Sequence, residues 1–345
     1  MVEKHFPMRL EERISAFVTL GNKIKELNPD TLDELQWRAK NGNNWFTEES
    51  VVHALQGISY MLESDKVTKW TESYPLSEES SNLRVGVLMA GNIPAVGFHD
   101  LMCVLLAGHI ASIKLSSSDT VLMNWLIMQL IESDARFEER IEIQEMLKGK
   151  DAYIATGSDN SARYFNYYFG KYPNIIRQNR TSVGVFSGEE TVPDYLKLGK
   201  DMFQYYGLGC RNVSKIYIKD PAQLQEFLGA IEVFNSVASH HKYNNNYDYN
   251  KAILLVNRED HLDNGFLILK ESTSLVSPIA VLFYECYRDE AHLNELMEEN
   301  SSKIQCIVSK DGKFKGSIPF GTAQQPELTD YADGVDTLNF LSQLK

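Results

Sequence analysis

The chain has 345 residues, long enough for two domains but too short for a string of them. Apolar residues make up 43% and charged residues 23%, the balance of an ordinary globular protein, which excludes wholesale disorder. Its 34 basic against 47 acidic side chains leave a net charge of −13. That sign repels polyanions and no local basic patch offsets it, so nucleic acid is not an expected partner.

Residues up to about 65 read as helical: Leu10, Ile14, Phe17, Val18 and Leu20 recur near helical spacing, and Asp30 precedes a short helix from Thr31. The Ser- and Glu-rich stretch Ser73–Asn82 reads as a connector. Strand and helix then alternate. Val85–Met89, His109–Leu115, Ala152–Ala155 and Val183–Phe186 are strand candidates, and Val96–Leu106, Thr120–Ile131, Ala162–Phe169 and Tyr195–Tyr206 are the helices between or after them. Apolar strands without polar alternation, spaced by helices, predict a mostly parallel α/β sheet. Further strands are expected at Val213–Ile218, Ala252–Val256, Phe266–Leu269, Ile279–Tyr284 and Ile304–Val308, with helices at Ala222–Phe234 and Glu290–Glu298. The Asn/Tyr-rich segment Tyr243–Asn250 reads as a loop, and there is no internal repeat. The expected division is a helical segment 1–82, an α/β domain 83–180, a second α/β domain 181–316 and a C-terminal strand or tail 317–345.

Cys103, Cys210, Cys286 and Cys306 lie far apart with no CxxC pair, which fits neither a disulfide scaffold nor a zinc ribbon. Met1–Leu10 lacks the apolar core of a signal peptide, and no uncharged run reaches ~18 residues. The cytoplasm is the expected compartment, with no membrane span. No metal is called for: His240 and His241 are adjacent with no carboxylate at a helpful spacing, and His99 and His109 read as packing or capping groups.

Several strand-to-helix junctions carry chemistry-bearing residues. Met89-Ala90-Gly91-Asn92-Ile93-Pro94 ends a strand, where an amide can donate to a substrate oxygen; Gly, Asn and Pro are equally ordinary turn residues. Lys114-Leu115-Ser116-Ser117-Ser118-Asp119 places a lysine and hydroxyls ahead of a helix, suited to a ribose or phosphate, or simply to helix capping by Ser118 or Asp119. Thr156-Gly157-Ser158 is a small-residue turn that lets backbone approach a pyrophosphate, although no GxGxxG occurs. Cys210 sits in a Gly207-Leu208-Gly209-Cys210-Arg211 loop, with space for a substrate and an arginine that favours thiolate. The other cysteines read as small buried hydrophobes.

Taken in order, these segments resemble the aldehyde dehydrogenase superfamily, and more narrowly the LuxC-type acyl-CoA reductases (fatty-acid reductases), over residues 83–345. Gly91-Asn92-Ile93-Pro94 resembles the family's N-x-P oxyanion segment and Lys114-Leu115-Ser116-Ser117 its K-P-S-E segment. Gly157-Ser158 resembles its G-S turn, Cys210 its nucleophile, and Ile318-Pro319-Phe320-Gly321 its P-F-G segment. The resemblance implies a two-domain α/β fold and a homo-oligomer, with partner contact through the tail Asp333–Leu344. It also implies Cys210 and Asn92 as catalytic residues, and Lys114, Ser116, Ser117, Gly157 and Ser158 as cofactor contacts. Where oxidative members carry the E-L-G-G glutamate that activates water, this chain has Arg177-Gln178-Asn179-Arg180-Thr181. Without that base a thioacyl intermediate hydrolyses poorly, which suits reduction of an acyl thioester. Ser117 replaces the glutamate that many NAD-using members turn to the ribose, so NADPH is expected. The family's E-x-F-G-P segment is reduced to Ser274-Leu275-Val276-Ser277-Pro278. The implied function is therefore NADPH-dependent reduction of acyl-CoA, or of an acyl group on a carrier, to the aldehyde. A catalytically silent binding subunit, an acyl-transfer protein that loads Cys210 without reduction, and an acyl-phosphate reductase are the alternatives.

Overall fold

The structure, a computed structural model, describes residues 7–157 and 159–344. Two compact units divide the chain. One runs to Gln178 and takes up the chain again from Glu327; the other is Asn179–Pro326.

The first unit opens with helices α1 (Leu10–Lys25), α2 (Pro29–Gly42), α3 (Glu48–Met61) and α4 (Ser64–Glu72). The start of α2 precedes the expected one because Asn28, not Asp30, caps it, accepting from the Thr31 N–H, with Pro29 in the first turn. Arg13 of α1 is buried, and its guanidinium donates to the carbonyls of Met8 and Ser77 at 2.8 and 2.6 Å, tying down the connector.

There follow β1 (Arg84–Leu88), α5 (Phe98–Leu106), β2 (Ile110–Lys114), α6 (Thr120–Ser133), β3 (Ile141–Ile143), β4 (Ala152–Thr156), α7 (Asp159–Phe169) and β5 (Asn174–Arg177). Among the described residues the strands form one parallel sheet in the order β3-β2-β1-β4-β5. The chain walks outward from β1 to β3, then restarts at β4 on the other side. Right-handed crossovers therefore put α5 and α6 on one face and α7 on the other, opening a crevice at the carboxyl ends of β1 and β4. Helix α5 is buried almost all round, since α1 packs on it from outside the sheet layer, and its sequence is accordingly apolar without a break from Leu101 to Leu106. Phe17 and Leu20 of α1 share one core with Phe98, Leu126, Val87 and Ile113.

The second unit comprises β6 (Thr181–Val185), α8 (Val192–Phe203), β7 (Val213–Ile218), α9 (Gln223–Ala230), α10 (His241–Asn257), β8 (Leu262–Asp263), β9 (Ile268–Glu271), β10 (Val281–Cys286), α11 (Glu290–Glu299), β11 (Ile304–Ser309) and β12 (Ser317–Pro319). Its described strands order as β12-β11-β6-β7-β10-β9-β8, parallel except for the short β8. The central strand β7 is buried along its whole length, and its Lys215 is paired with Glu285 of β10.

Two expectations are corrected. Tyr243–Asn250, read as a loop, and Ala252–Val256, read as a strand, together form the single helix α10. His240 caps it, Tyr243, Tyr247 and Leu254 supply its buried face, and Arg258 ends it in the left-handed region at φ 55°. A five-residue apolar run carries no period of its own, and the i, i+4 pair of buried tyrosines decides for helix. The stretch 317–345, expected as a strand or tail, holds the short strand β12 and ends in helix α12 (Thr337–Ser342), whose Leu338 and Leu341 are fully buried in the first unit. It is held there by Arg177, which donates to Thr337 Oγ1 at 2.8 Å while forking onto Asp100 of α5 at 2.5 and 2.8 Å.

Candidate active site

In the first unit the expected site residues stand at the carboxyl edge of neighbouring strands. Asn92 is exposed in the loop after β1; Lys114, the last residue of β2, and Ser117 beyond it are exposed, with Ser116 half-buried; Gly157 follows β4. Strand order brings all three loops side by side, with β1 in the middle. Ser158 lies outside the described residues.

The β1 and β2 loops are pressed together. A Cβ on Gly91 would come within 2.5 Å of the Ser116 side chain, so only glycine lets Asn92's loop lie against it. Asp119, at the cap position of α6, makes no capping bond. Its carboxylate instead crosses to the β1 loop and accepts the Ala95 N–H at 2.7 Å, at a residue held at φ 55°. Capping by Asp119, one reading of the sequence, is thus replaced by a loop-to-loop tie. The side chain is buried and its other oxygen has no partner among the described residues; burial pushes its pKa up to about 7, the Ala95 N–H pulling against it.

At the E-L-G-G place Arg177 ends β5 as a buried partner of Asp100. Gln178 beside it donates its backbone N–H to Asp333. Neither is a base.

In the second unit Cys210 is half-buried just ahead of β7, at the amino edge of its sheet. Gly207 and Gly209 hold φ of 83° and 93°, the left-handed turn the loop requires. The loop is pinned from β6: the Ser182 hydroxyl donates to the Cys210 carbonyl at 3.1 Å, and Thr181 Oγ1 donates to the Asn212 carbonyl at 3.1 Å. Ser182 Oγ also lies 3.0 Å from Cys306 Sγ and accepts the Cys306 N–H, so its hydrogen-bonding capacity is committed. Arg211 donates from Nε to the Ala323 carbonyl at 2.5 Å. That bond ties the segment after Ile318-Pro319-Phe320-Gly321 to the residue next to Cys210. Ser182 gave no signal in the sequence, since a lone serine in an apolar strand has no motif.

The remaining candidates are structural. Cys103 is buried in α5 and its pKa is pushed well up by burial. His109 has both ring nitrogens engaged, at Ser81 Oγ and the Leu341 carbonyl, and His99 stacks near Trp70 and Tyr331. Tyr243 and Tyr247 bond to the Phe266 carbonyl and to Asp263, so the aromatic stretch is packing. No helix among the described residues is long and apolar enough to cross a membrane.

No family model matches the chain, and no curated protein sequence matches it. Solved structures do. An oxidoreductase from Marinobacter aquaeolei superimposes with a TM-score of 0.68 at 11% identity, over 99% of this chain and 85% of that one. Mycobacterium tuberculosis aldehyde dehydrogenase, complexed with NAD+, gives 0.61 at 14% identity over 88% and 73%. The NADP-dependent glyceraldehyde-3-phosphate dehydrogenase from Bacillus halodurans, complexed with NADP, gives 0.61 at 10% over 87% and 73%. Likeness over nearly the whole chain at such low identity is likeness of architecture, and the architecture of this chain is the aldehyde dehydrogenase fold.

Proposed function

We propose that this protein is a nicotinamide-dependent oxidoreductase that reduces an acyl thioester, acyl-CoA or a carrier-bound acyl group, to the aldehyde through Cys210. The observation that carries the reading is the Cys210 loop itself: a half-buried thiol directly after two left-handed glycines, its carbonyl fixed by Ser182. A structural cysteine needs no such scaffold.

The first unit fits a nicotinamide dinucleotide. A crevice at the reversal of strand order is where open α/β sheets take such ligands, and here it is bordered by the Asn92 and Gly157 loops. Lys114, exposed at the end of β2, would meet a phosphate, and Ser116 and Ser117 a ribose. Gly157 keeps the β4 turn tight, since a Cβ there would strike Phe165 and Ser161 within 3 Å. Two of the fold neighbours hold NAD+ or NADP, which supports the class of cofactor. Ser117 brings no negative charge against a 2′-phosphate, which favours NADPH.

On this reading the Cys210 thiolate attacks the thioester carbonyl, and the thiol of the donor leaves to give a thioacyl-cysteine. The Cys210 backbone N–H would donate to the developing oxyanion, and Asn92 keeps the oxyanion-donor role the resemblance implies, such a donor being worth ~2.7–4 kcal/mol of barrier in sites of this type. The cofactor supplies hydride. Cys210 leaves again as thiolate when the thiohemiacetal collapses to aldehyde. Arg177 and Gln178 offer no general base, so water does not intercept the acyl group.

The test mixes the protein with NADPH and acyl-CoAs of rising chain length, following absorbance at 340 nm and intact mass. NADPH loss with an acyl adduct on Cys210, both abolished in Cys210→Ala while NADPH still binds, supports the reductase. An adduct without NADPH loss turns the assignment to acyl transfer, and full turnover in Cys210→Ala overturns it.

A further inference from the structure

Asp201, on α8, is wholly buried and carries a carboxylate with no ion pair within contact among the described residues. Burying a charge in a helix that could have carried leucine is costly unless something specific is gained. What is gained is a hold on an irregular segment. Oδ2 accepts the Gly321 N–H at 2.6 Å and Oδ1 the Ala323 N–H at 2.9 Å, while the Asp201 backbone carbonyl accepts Gln324 Nε2 at 3.0 Å. Gly321 itself sits at φ 85° and packs on Lys197, so the segment needs an external anchor to keep its shape. From the other side the Ala323 carbonyl receives Arg211 Nε. A single peptide segment therefore joins a buried carboxylate to the residue adjoining Cys210.

We infer that Asp201 is a positioning residue for Cys210: through Gly321–Ala323 it fixes Arg211, and with Ser182 it holds the nucleophile's loop from both flanks. The inference rests on the assignment of Cys210 as the nucleophile. It gives the Ile318-Pro319-Phe320-Gly321 segment a role in this chain, that of a spacer between α8 and the Cys210 loop. Ionisation matters to the hold. With both oxygens ionised, each accepts an N–H; protonation puts an O–H where an N–H already donates, and one of the two bonds weakens. Burial pushes the Asp201 carboxyl up to about 7, the two N–H donors and the charges of Arg211 and Lys200 pulling the other way. The loop should therefore loosen as the pH falls through neutrality.

The test reads the loop with a neutral reagent, independently of acyl chemistry. Alkylation of Cys210 by iodoacetamide, mapped by peptide mass, is timed from pH 5.5 to 8.5 in the wild type, Asp201→Asn and Arg211→Met. The carboxamide keeps one acceptor but opposes its NH2 group to the other N–H. We expect a change of about fivefold or more in the Cys210 rate constant at pH 8 in Asp201→Asn, and loss of the wild-type inflection near neutrality. Arg211→Met, which cuts the same link at its other end and serves if Asp201→Asn fails to fold, should change the rate similarly. A folded Asp201→Asn with the wild-type rate and profile, or an unchanged rate in Arg211→Met, overturns the inference. A parallel arm with acyl-CoA separates the two claims: no acyl adduct in the wild type, with the alkylation differences intact, sinks the thioester reading and leaves the positioning role standing.

Discussion

Asp119 and Ala95, 24 residues apart, are joined by a 2.7 Å hydrogen bond from the Ala95 N–H to the Asp119 carboxylate. That bond fastens the loop bearing Asn92 to the start of α6, and it does so with a buried carboxylate that has no cation beside it among the described residues. The arrangement makes the Asn92 loop sensitive to one proton.

The first prediction follows from its sign. The folded-state pKa of Asp119, about 7, lies above the unfolded value near 4, so the folded state binds the extra proton across that window. The contribution of this group to stability therefore falls as the pH rises from about 4 to about 7, then levels off. In Asp119→Asn the group no longer titrates. Melting temperatures of the variant and the wild type, compared from pH 5 to 8, should show the variant gaining on the wild type as the pH rises. A constant difference would mean that the carboxyl is ionised throughout.

The role proposed for Asn92 is tested by truncation. Asn92→Ala should lower turnover by on the order of 10²-fold or more. Because Asn92 is exposed, the variant's melting temperature should stay within a degree or two of the wild type. Equal turnover would remove Asn92 from the chemistry.

Cofactor choice turns on Ser117. Placing a carboxylate at this exposed position, as Ser117→Glu, should repel a 2′-phosphate and accept a ribose hydroxyl. The ratio of kcat/KM with NADPH to that with NADH should drop by about tenfold, a difference of ~1.4 kcal/mol. An unchanged ratio would mean that the ribose lies elsewhere.

Arg177 is expected to matter for folding, not for chemistry. It is 3% exposed and forks onto Asp100 while reaching Thr337 on α12. Arg177→Met leaves the Asp100 carboxylate buried without its partner, which should cost about 3–5 kcal/mol in denaturant unfolding. Joint replacement, Asp100→Leu with Arg177→Met, should recover much of that loss. A single variant as stable as the wild type would show that water reaches the site.

The chain's alternation of apolar runs was enough to locate β1, β2, β4, β6 and β7, because strands covered on both faces by helices are mostly apolar and do not alternate with polar residues. The short β3 and β5 escaped detection, being only 3 and 4 residues long, with Glu142 in the first and Asn174 and Arg177 in the second. Helix α10 was hidden by its Asn/Tyr bias, since the burial of Tyr243 and Tyr247 that makes it amphipathic exists only once β8 and β9 are beside it. The loops expected to carry chemistry were legible for a simpler reason: glycine, serine and asparagine collect where strands hand over to helices.

By itself, then, the sequence determined the α/β class, the order of the strand–helix units and the segments that end at sheet edges, since all of these follow from local periodicity and turn composition. Only the tertiary structure decided the sheet order, the return of α12 to the first unit, and the partners of Asp119, Asp201 and Ser182. Those bonds link residues 24, 120 and 28 positions apart. A carboxylate or hydroxyl in the sequence has no preferred partner at such separations; which N–H or carbonyl it meets is settled when the strands pair and the helices are packed around them.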